Sequence, residues 1–233
     1  MREIVLDTET TGLDPQDGHR IVEIGAVELY NHVPTGNVYH QYINPLISMP
    51  DQAFAIHGLS DEFLSDKPEF SEIAKEFLDF IGSAKLVIHN AAFDIKFINA
   101  ELKSIDKEEI AFDRATDTLA IARKKFPGSP ASLDSLCRRF KIDNSARIVH
   151  GALLDSQILA EVYLELVGGK QPDFALNVIN TASENNDFIS NDKRLRIRKE
   201  ILKPRLTKDE KDNHKNFIKK LGNNSMWSKI LNS

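Results

Sequence analysis

Four carboxylates and one imidazole in this 233-residue chain fall into three short segments, and their types suit holding a hard divalent cation beside a general base. The first segment is Leu6-Asp7-Thr8-Glu9-Thr10-Thr11-Gly12, at the end of an Ile/Val-rich run. Residues i and i+2 of a strand share a face, so Asp7 and Glu9 project together. Two adjacent acids repel unless they share a proton or a cation, and a hard divalent ion with oxygen ligands resolves the conflict. Taken alone, the pair reads better as solvated acids at a strand end. The second segment, His89-Asn90-Ala91-Ala92-Phe93-Asp94, joins a short apolar strand to a helix. Asp94 in the first turn is stabilised by the helix dipole without any further role. Ala91 and Ala92 nevertheless keep that turn small, while Phe93 and Phe97 bracket the acid. In the third segment, His150-Gly151-Ala152-Leu153-Leu154-Asp155, an acid lies on the apolar side of a helix beside Leu154 and Ile158. Acids are rare there unless paired or metal-bound. His150, on a Gly-permitted loop just before that helix, is the general-base candidate.

The elements that must position these groups follow from periodicity. Residues 2–7, 20–30 and 38–43 read as strands, with a Gly/Asp/Pro-rich turn between the first two and Asn44-Pro45 ending the third. After Pro68, the apolar positions Phe70, Ile73, Ala74, Phe77, Leu78 and Ile81 form a helical stripe. Residues 85–88 (KLVI) form a short buried strand followed directly by a helix. Further helices are expected over 115–125, 132–140 and 151–167. Strands first, then alternating strand and helix, predict an α/β domain with a mixed sheet.

Composition narrows the class. A single cysteine, Cys137, cannot form an intramolecular disulfide, which suits a reducing compartment. No apolar run approaches the roughly 18 residues needed to span a bilayer. Asp7 interrupts the N-terminus before a signal-peptide core could form, so a cytoplasmic address is expected, with no membrane partner. Charge is split along the chain. Residues 193–233 hold 13 Lys+Arg against 4 Asp+Glu, a net of +9, whereas residues 1–192 hold 17 against 31, a net of −14. Such asymmetry usually marks two jobs.

The order and spacing of LDTETTGL, HNAAFDIKF and HGALLDSQILA resemble the three motifs of the DEDDh 3′–5′ exonucleases. Across residues 1–169, the stretches VIHNAAFDIKF, ARKKFPG, SLDSLCRRFKIDNSAR and HGALLDSQILAEVYLELVGG resemble the proofreading epsilon subunits of bacterial DNA polymerase III. The resemblance implies a ribonuclease H-like fold, a central mixed five-stranded sheet with helices on both faces, followed by a flexible C-terminal tail. It also implies two divalent metal ions, Mg²⁺ or Mn²⁺, held by Asp7, Glu9, Asp94 and Asp155, with Asp7 bridging them and His150 as general base. Two such ions ~3.5–4 Å apart stabilise the attacking and the leaving oxygen of a phosphodiester. For the substrate, the resemblance points to His57 in Ala55-Ile56-His57-Gly58, and to Leu13 and Phe93 as apolar surface against the terminal base, with core packing an equally ready reading of each. Gln52 stands where these subunits can carry Glu. It keeps a hydrogen bond to the 3′ hydroxyl but loses the charge. Asp7, Glu9 and Asp155 would face the substrate phosphate through the metals.

Beyond residue 169 the resemblance implies partners. Gln171, Phe174 and Leu176, within residues 171–176, resemble a sliding-clamp peptide, set in a linker over 170–206 whose polar stretch 183–192 lacks periodicity. Residues 207–233 resemble the segment that docks on the polymerase alpha subunit, with Phe217, Ile218, Leu221, Met226 and Trp227 as apolar anchors. Thr207 and Glu210 form a capping box for a short helix there. A small accessory core subunit accompanies such proteins in some bacteria. Because the −14 body lacks the net positive surface that counterion release rewards, the nuclease is expected to grip the 3′ end of single-stranded or frayed DNA weakly. Tethering to a polymerase would compensate. The competing reading is a free-standing DEDDh nuclease of RNA or small oligonucleotides, which needs neither a clamp peptide nor a docking segment. A non-catalytic scaffold is opposed by the complete set of acids and His150.

Overall fold

The computed structural model describes residues 1–147, 149–168 and 206–221. Five strands form one mixed sheet: β1 (Arg2–Thr10), β2 (Ile21–Tyr30), β3 (Val33–Tyr42), β4 (Lys85–Ile88) and β5 (Ala115–Asp117), in the order β3-β2-β1-β4-β5. β1 to β3 are antiparallel neighbours, while β4 pairs parallel with both β1 and β5. The helices are α1 (Asp51–His57), α2 (Asp61–Leu64), α3 (Phe70–Ile81), α4 (Ala91–Ser104), α5 (Thr118–Lys125), α6 (Leu133–Phe140) and α7 (Ala152–Val167).

The period of two along β1 places helices on both faces. Ile4 and Leu6 pack with Phe70, Phe77, Ile95 and Phe97 from α3 and α4. Val5, on the opposite face, packs with Val27, Val87 and α7 residues Leu159 and Tyr163. The far side of α7 joins Ala122 of α5 and Leu136 and Cys137 of α6 through Ile158 and Val162. Buried Glu101 of α4 takes a bidentate hydrogen bond from Arg20, at 2.8 Å from Nε and 2.7 Å from Nη2, and also accepts from the Ile21 amide. That pair fixes α4, and with it Asp94, against the start of β2.

Several elements differ from expectation; β1 runs on to Thr10, past the expected end at residue 7. β3 begins at Val33 rather than 38, because a two-residue turn at Asn31 and His32, both with positive φ, folds it straight back on β2. Pro34 and Gly36 are tolerated because β3 is an edge strand with an irregular register. Residues 115–117 are a strand, and the helix starts only at Thr118, where Asp117 caps it by accepting from the Leu119 amide. Helices α1 and α2, absent from the periodicity reading, are a short pair between β3 and α3.

Residues 206–221 are described separately. Helix α8 (Lys208–Leu221) opens with the expected capping box: the Thr207 amide and hydroxyl donate to Glu210, whose amide donates back to Thr207 Oγ1. Phe217 and Leu221 are exposed and Ile218 is buried. Residues 170–205, Gln171, Phe174, Leu176, Met226 and Trp227 among the expectations, lie outside the described residues or, for the last two, beyond residue 221. No helix among the described residues is long and apolar enough to cross a membrane.

Candidate active site

β1 runs into the sheet and delivers Asp7 and Glu9 to the end where β4 hands over to α4. Asp94 arrives from the other face of the sheet in the first turn of α4. The turn before it is tight, with Asn90 left-handed at φ 70°. Asp94 Oδ1 accepts twice from Thr8, at 3.0 Å from the amide and 2.7 Å from the hydroxyl. Asp155 is placed by a close approach. Asp7 and Gly25 are register partners, and α7 crosses the sheet at Gly25, where a Cβ would stand 2.2 Å from the backbone of Ala152 and Leu153. Ser156 Oγ donates to the Gly25 carbonyl at 2.8 Å, locking the crossing. The absence of a side chain at Gly25 thus lets the carboxylate of the first turn of α7 come over Asp7.

The result is a cleft of about 650 Å³ whose walls include Asp7, Glu9, Asp94, His150 and Asp155. All five residues expected to carry the chemistry therefore meet in one place. One donor atom each from Glu9, His150 and Asp155 lie within 4.8 Å of one another. His150 is exposed, its Nδ1 sits 3.5 Å from Asp155 Oδ2, and its backbone amide donates to the Ile56 carbonyl at 3.1 Å, tying its loop to α1.

Electrostatics describe a site in which acids outnumber cations. Burial, then the charges of Asp94, Glu9 and Asp155, pushes the Asp7 carboxyl well above the ordinary carboxylate range. Burial, then Asp155 and Glu23, raises Glu9 to about 8. Burial raises Asp94 to about 7 against the opposing hydrogen bonds from Thr8. Acids kept protonated mainly by burial could, once relieved of their protons, offer hard oxygen donors to a divalent ion. The donor set fits such ions.

Sequence reasoning passed over Arg147, a nearly buried residue. Its Nε and Nη2 hold both oxygens of Asp155, at 2.5 and 2.8 Å. Its Nη1 spans Asp134 at 3.0 and 3.1 Å, and Nη2 lies 2.8 Å from His150 Nδ1. The hydrogen bond to Asp155 holds the guanidinium above even its ordinary pKa, against the opposing effect of burial. The available signal was a basic residue three positions before His150. Its partner Asp134, in the first turn of α6, gave none.

The expected substrate residues line a neighbouring hollow. Leu13, Gln52, His57 and Phe93 border it together with Thr8 and Glu9, so it opens onto the acid cluster. Leu13 is 83% exposed, which rules out core packing in the described chain. His57 is buried, and burial first of all lowers its pKa. Its Nδ1 accepts from the Leu59 amide at 3.1 Å, leaving the proton of the neutral ring on Nε2.

Residues 4–163 match the exonuclease family model. The chain is 52% identical over 221 residues to the DNA polymerase III subunit epsilon of Rickettsia felis, covering 94% of this chain and 96% of that one. It is 55% identical to the protein of the same name from Escherichia coli K12 over 177 residues, 72% of each chain. Among solved structures, exonuclease X in complex with 5′ overhanging duplex DNA superposes with a TM-score of 0.55 at 25% identity, covering 71% of this chain and 90% of that one. The nuclease domain of 3′hExo, a DEDDh family member, superposes with a TM-score of 0.60 at 20% identity, covering 71% and 91%, and shows the shared fold. The folding of the three motifs into one cleft and the likeness along nearly the whole length agree, and the chain belongs to the exonuclease family, among the epsilon subunits of DNA polymerase III.

Proposed function

We propose that Asp7, Glu9, Asp94 and Asp155 hold two divalent ions, Mg²⁺ or Mn²⁺, and that His150 is the general base of phosphodiester hydrolysis. The chain is a 3′–5′ proofreading exonuclease of the polymerase III assembly. The observation carrying the residue assignment is the convergence of Glu9, His150 and Asp155 within 4.8 Å in the cleft that also contains Asp7 and Asp94. Divalent ions there supply Lewis-acid stabilisation to the attacking and leaving oxygens.

The chain's own groups do the rest. Water attacks the phosphorus of the terminal nucleotide, the bond to the 3′ oxygen of the preceding nucleotide breaks with that oxygen taking a proton from solvent, and a nucleoside 5′-monophosphate leaves. His150 takes the proton of the attacking water. The ring is exposed enough to pass it to solvent, and the amide bond to Ile56 anchors its loop. The adjoining hollow receives the terminal nucleotide, with Phe93 and Leu13 as apolar surface, His57 Nε2–H as a donor and Gln52 toward the 3′ hydroxyl.

Residues 1–169 form the nuclease. Residues 170–206 link it to 207–233, carrying the clamp peptide at Gln171, Phe174 and Leu176. The final segment docks on the polymerase alpha subunit. Exposed Phe217 and Leu221 on α8 support that role, and a cytoplasmic replisome is the expected setting. A small accessory core subunit is a further partner to test by co-purification.

The deciding experiment is digestion of a mispaired-primer DNA, and of an RNA of the same sequence, with Mg²⁺ present or chelated. Release of deoxynucleoside monophosphates from the 3′ end, lost in Asp7→Ala, supports the assignment. Preferred digestion of RNA would favour a nuclease of RNA maturation instead.

A further inference from the structure

The acidity of the nuclease domain is unevenly distributed. Residues 118–147 carry seven Lys+Arg against two Asp+Glu, a net of +5. The remainder of residues 1–168 carries nine against 25, a net of −16. Within the basic stretch both acids are already engaged, Asp134 by Arg147 and Asn144, and Asp143 by the Ser145 amide. Two of the cations are also committed: Arg147 to the acid cluster, and Lys125 to the Glu165 and Leu166 carbonyls that end α7. Arg123, Lys124, Arg138, Arg139 and Lys141 remain exposed, and among the described residues none of them has a carboxylate partner.

Their placement is directional. Arg123, in the last turn of α5, lines the catalytic cleft. Arg138 and Arg139, in the last turn of α6, line a second hollow with Pro130 and Ser135. Pro130 belongs to both walls, so the hollow adjoins the cleft. Arg139 is braced with its guanidinium 4.3 Å from the centre of the Phe126 ring, which orders it without using its N–H edge. Basic residues in a last helical turn stabilise that helix wherever they point. The dipole does not account for one helix presenting its arginine in the cleft and the other presenting two in the hollow beside it, in an otherwise anionic domain.

We propose that Arg123, Arg138 and Arg139 form a phosphate track that carries the strand running back from the 3′ end held in the cleft. The track rests on the nuclease reading, because that reading sets the end of the strand. It also revises the expectation of a body without a basic surface: the domain repels nucleic acid over most of its surface and accepts it along one line, which aligns the strand.

The test is fluorescence anisotropy of a labelled dT12 bound to the full-length chain in Ca²⁺, titrated from 50 to 200 mM salt. Each single-strand phosphate contact contributes about 0.7 to the slope of log affinity against log salt. Arg138→Gln/Arg139→Gln should therefore lower the slope by about 1.4, so that the wild type's advantage shrinks about 7-fold over that range. Arg138→Lys/Arg139→Lys should keep the wild-type slope, which a purely structural role against Phe126 would not. In Mg²⁺, the ratio of kcat/KM on dT12 to that on a dinucleotide should fall in the Gln pair. An unchanged slope, or Lys failing as Gln does, overturns the track. If the wild type cleaves neither substrate while the slope still changes, the nuclease reading fails, and what stands is phosphate binding by these arginines without a 3′ end held in the cleft.

Discussion

Arg147 grips both carboxylate oxygens of Asp155, so the site expected to bind cations is already occupied by a cation of the chain itself. The guanidinium and a divalent ion compete for the charge of the same carboxylate. Removing one partner of a buried pair leaves an uncompensated charge and costs about 3–5 kcal/mol. Arg147→Gln should therefore lower Tm in EDTA by about 10 °C, and Mn²⁺ should restore most of the loss while binding more tightly than to the wild type. Thermal shift and calorimetric titration measure both. An equal Tm loss with and without Mn²⁺ would mean that Arg147 only braces the loop.

Thr8 holds Asp94 from the neighbouring strand through two hydrogen bonds to one oxygen. Thr8→Val keeps the shape and the amide bond but removes the hydroxyl. Partners that orient metal-binding carboxylates typically account for 10–100-fold in metal affinity or activity. The Mg²⁺ concentration for half-maximal activity should rise by about 10-fold or more, with Tm in EDTA changed little. No shift in the Mg²⁺ requirement would remove Asp94 from the metal-holding set.

The raised carboxyls make metal-free stability depend on pH. Glu9 titrates at about 8 in the folded chain against an ordinary 4.5, and Asp94 at about 7 against 3.8. Between those limits the folded protein holds protons that the unfolded chain has released, so stability falls as pH rises. His57 and His89, whose pKa values burial lowers, act in the opposite sense below 6.5. The clean window is therefore pH 6.5 to 8. In EDTA, Tm should drop across it, and saturating Mg²⁺ should flatten the drop. A Tm that rises with pH in EDTA would contradict the account.

What the sequence disclosed follows from what is local. Asp7 and Glu9 could be paired by strand periodicity, and Asp155 stood out as an acid on an apolar helical face. The long helices carried clear stripes. The residues that escaped notice depend on distant partners. Arg147 acquires meaning only when α6 and α7 bring Asp134 and Asp155 to it, and Thr8 only when α4 arrives from the other face. β5 is three residues long, too short for periodicity, and is a strand because β4 offers it an edge. β3 reaches back to Val33 because an edge position tolerates Pro34 and Gly36, which local sequence alone disfavours in a strand. No local pattern could show that Gly25 is where a helix presses on the sheet.

That contact gives the most direct test of how the fold builds the site. Gly25 faces Asp7 across the β1–β2 ladder, and a Cβ on it would meet the backbone of Ala152 and Leu153 at 2.2 Å. Backbone cannot yield as a side-chain tip does, so Gly25→Ala must displace the start of α7 and carry Asp155 away from Asp7 and Glu9. Overpacking of this kind costs about 1–3 kcal/mol, so the variant should fold with a lowered Tm. A 1 Å misplacement can cost about 10²-fold in rate, and kcat on a mispaired primer should fall by that order while binding of dT12 in Ca²⁺ persists. Ala26→Gly, one residue along in the same strand, separates lost strand stability from lost geometry: it should lower Tm with a far smaller effect on kcat. If Gly25→Ala retains full activity, α7 is not positioned by this contact, and the placement of Asp155 must come from the Ser156 hydrogen bond and the packing of Leu159 and Tyr163 instead.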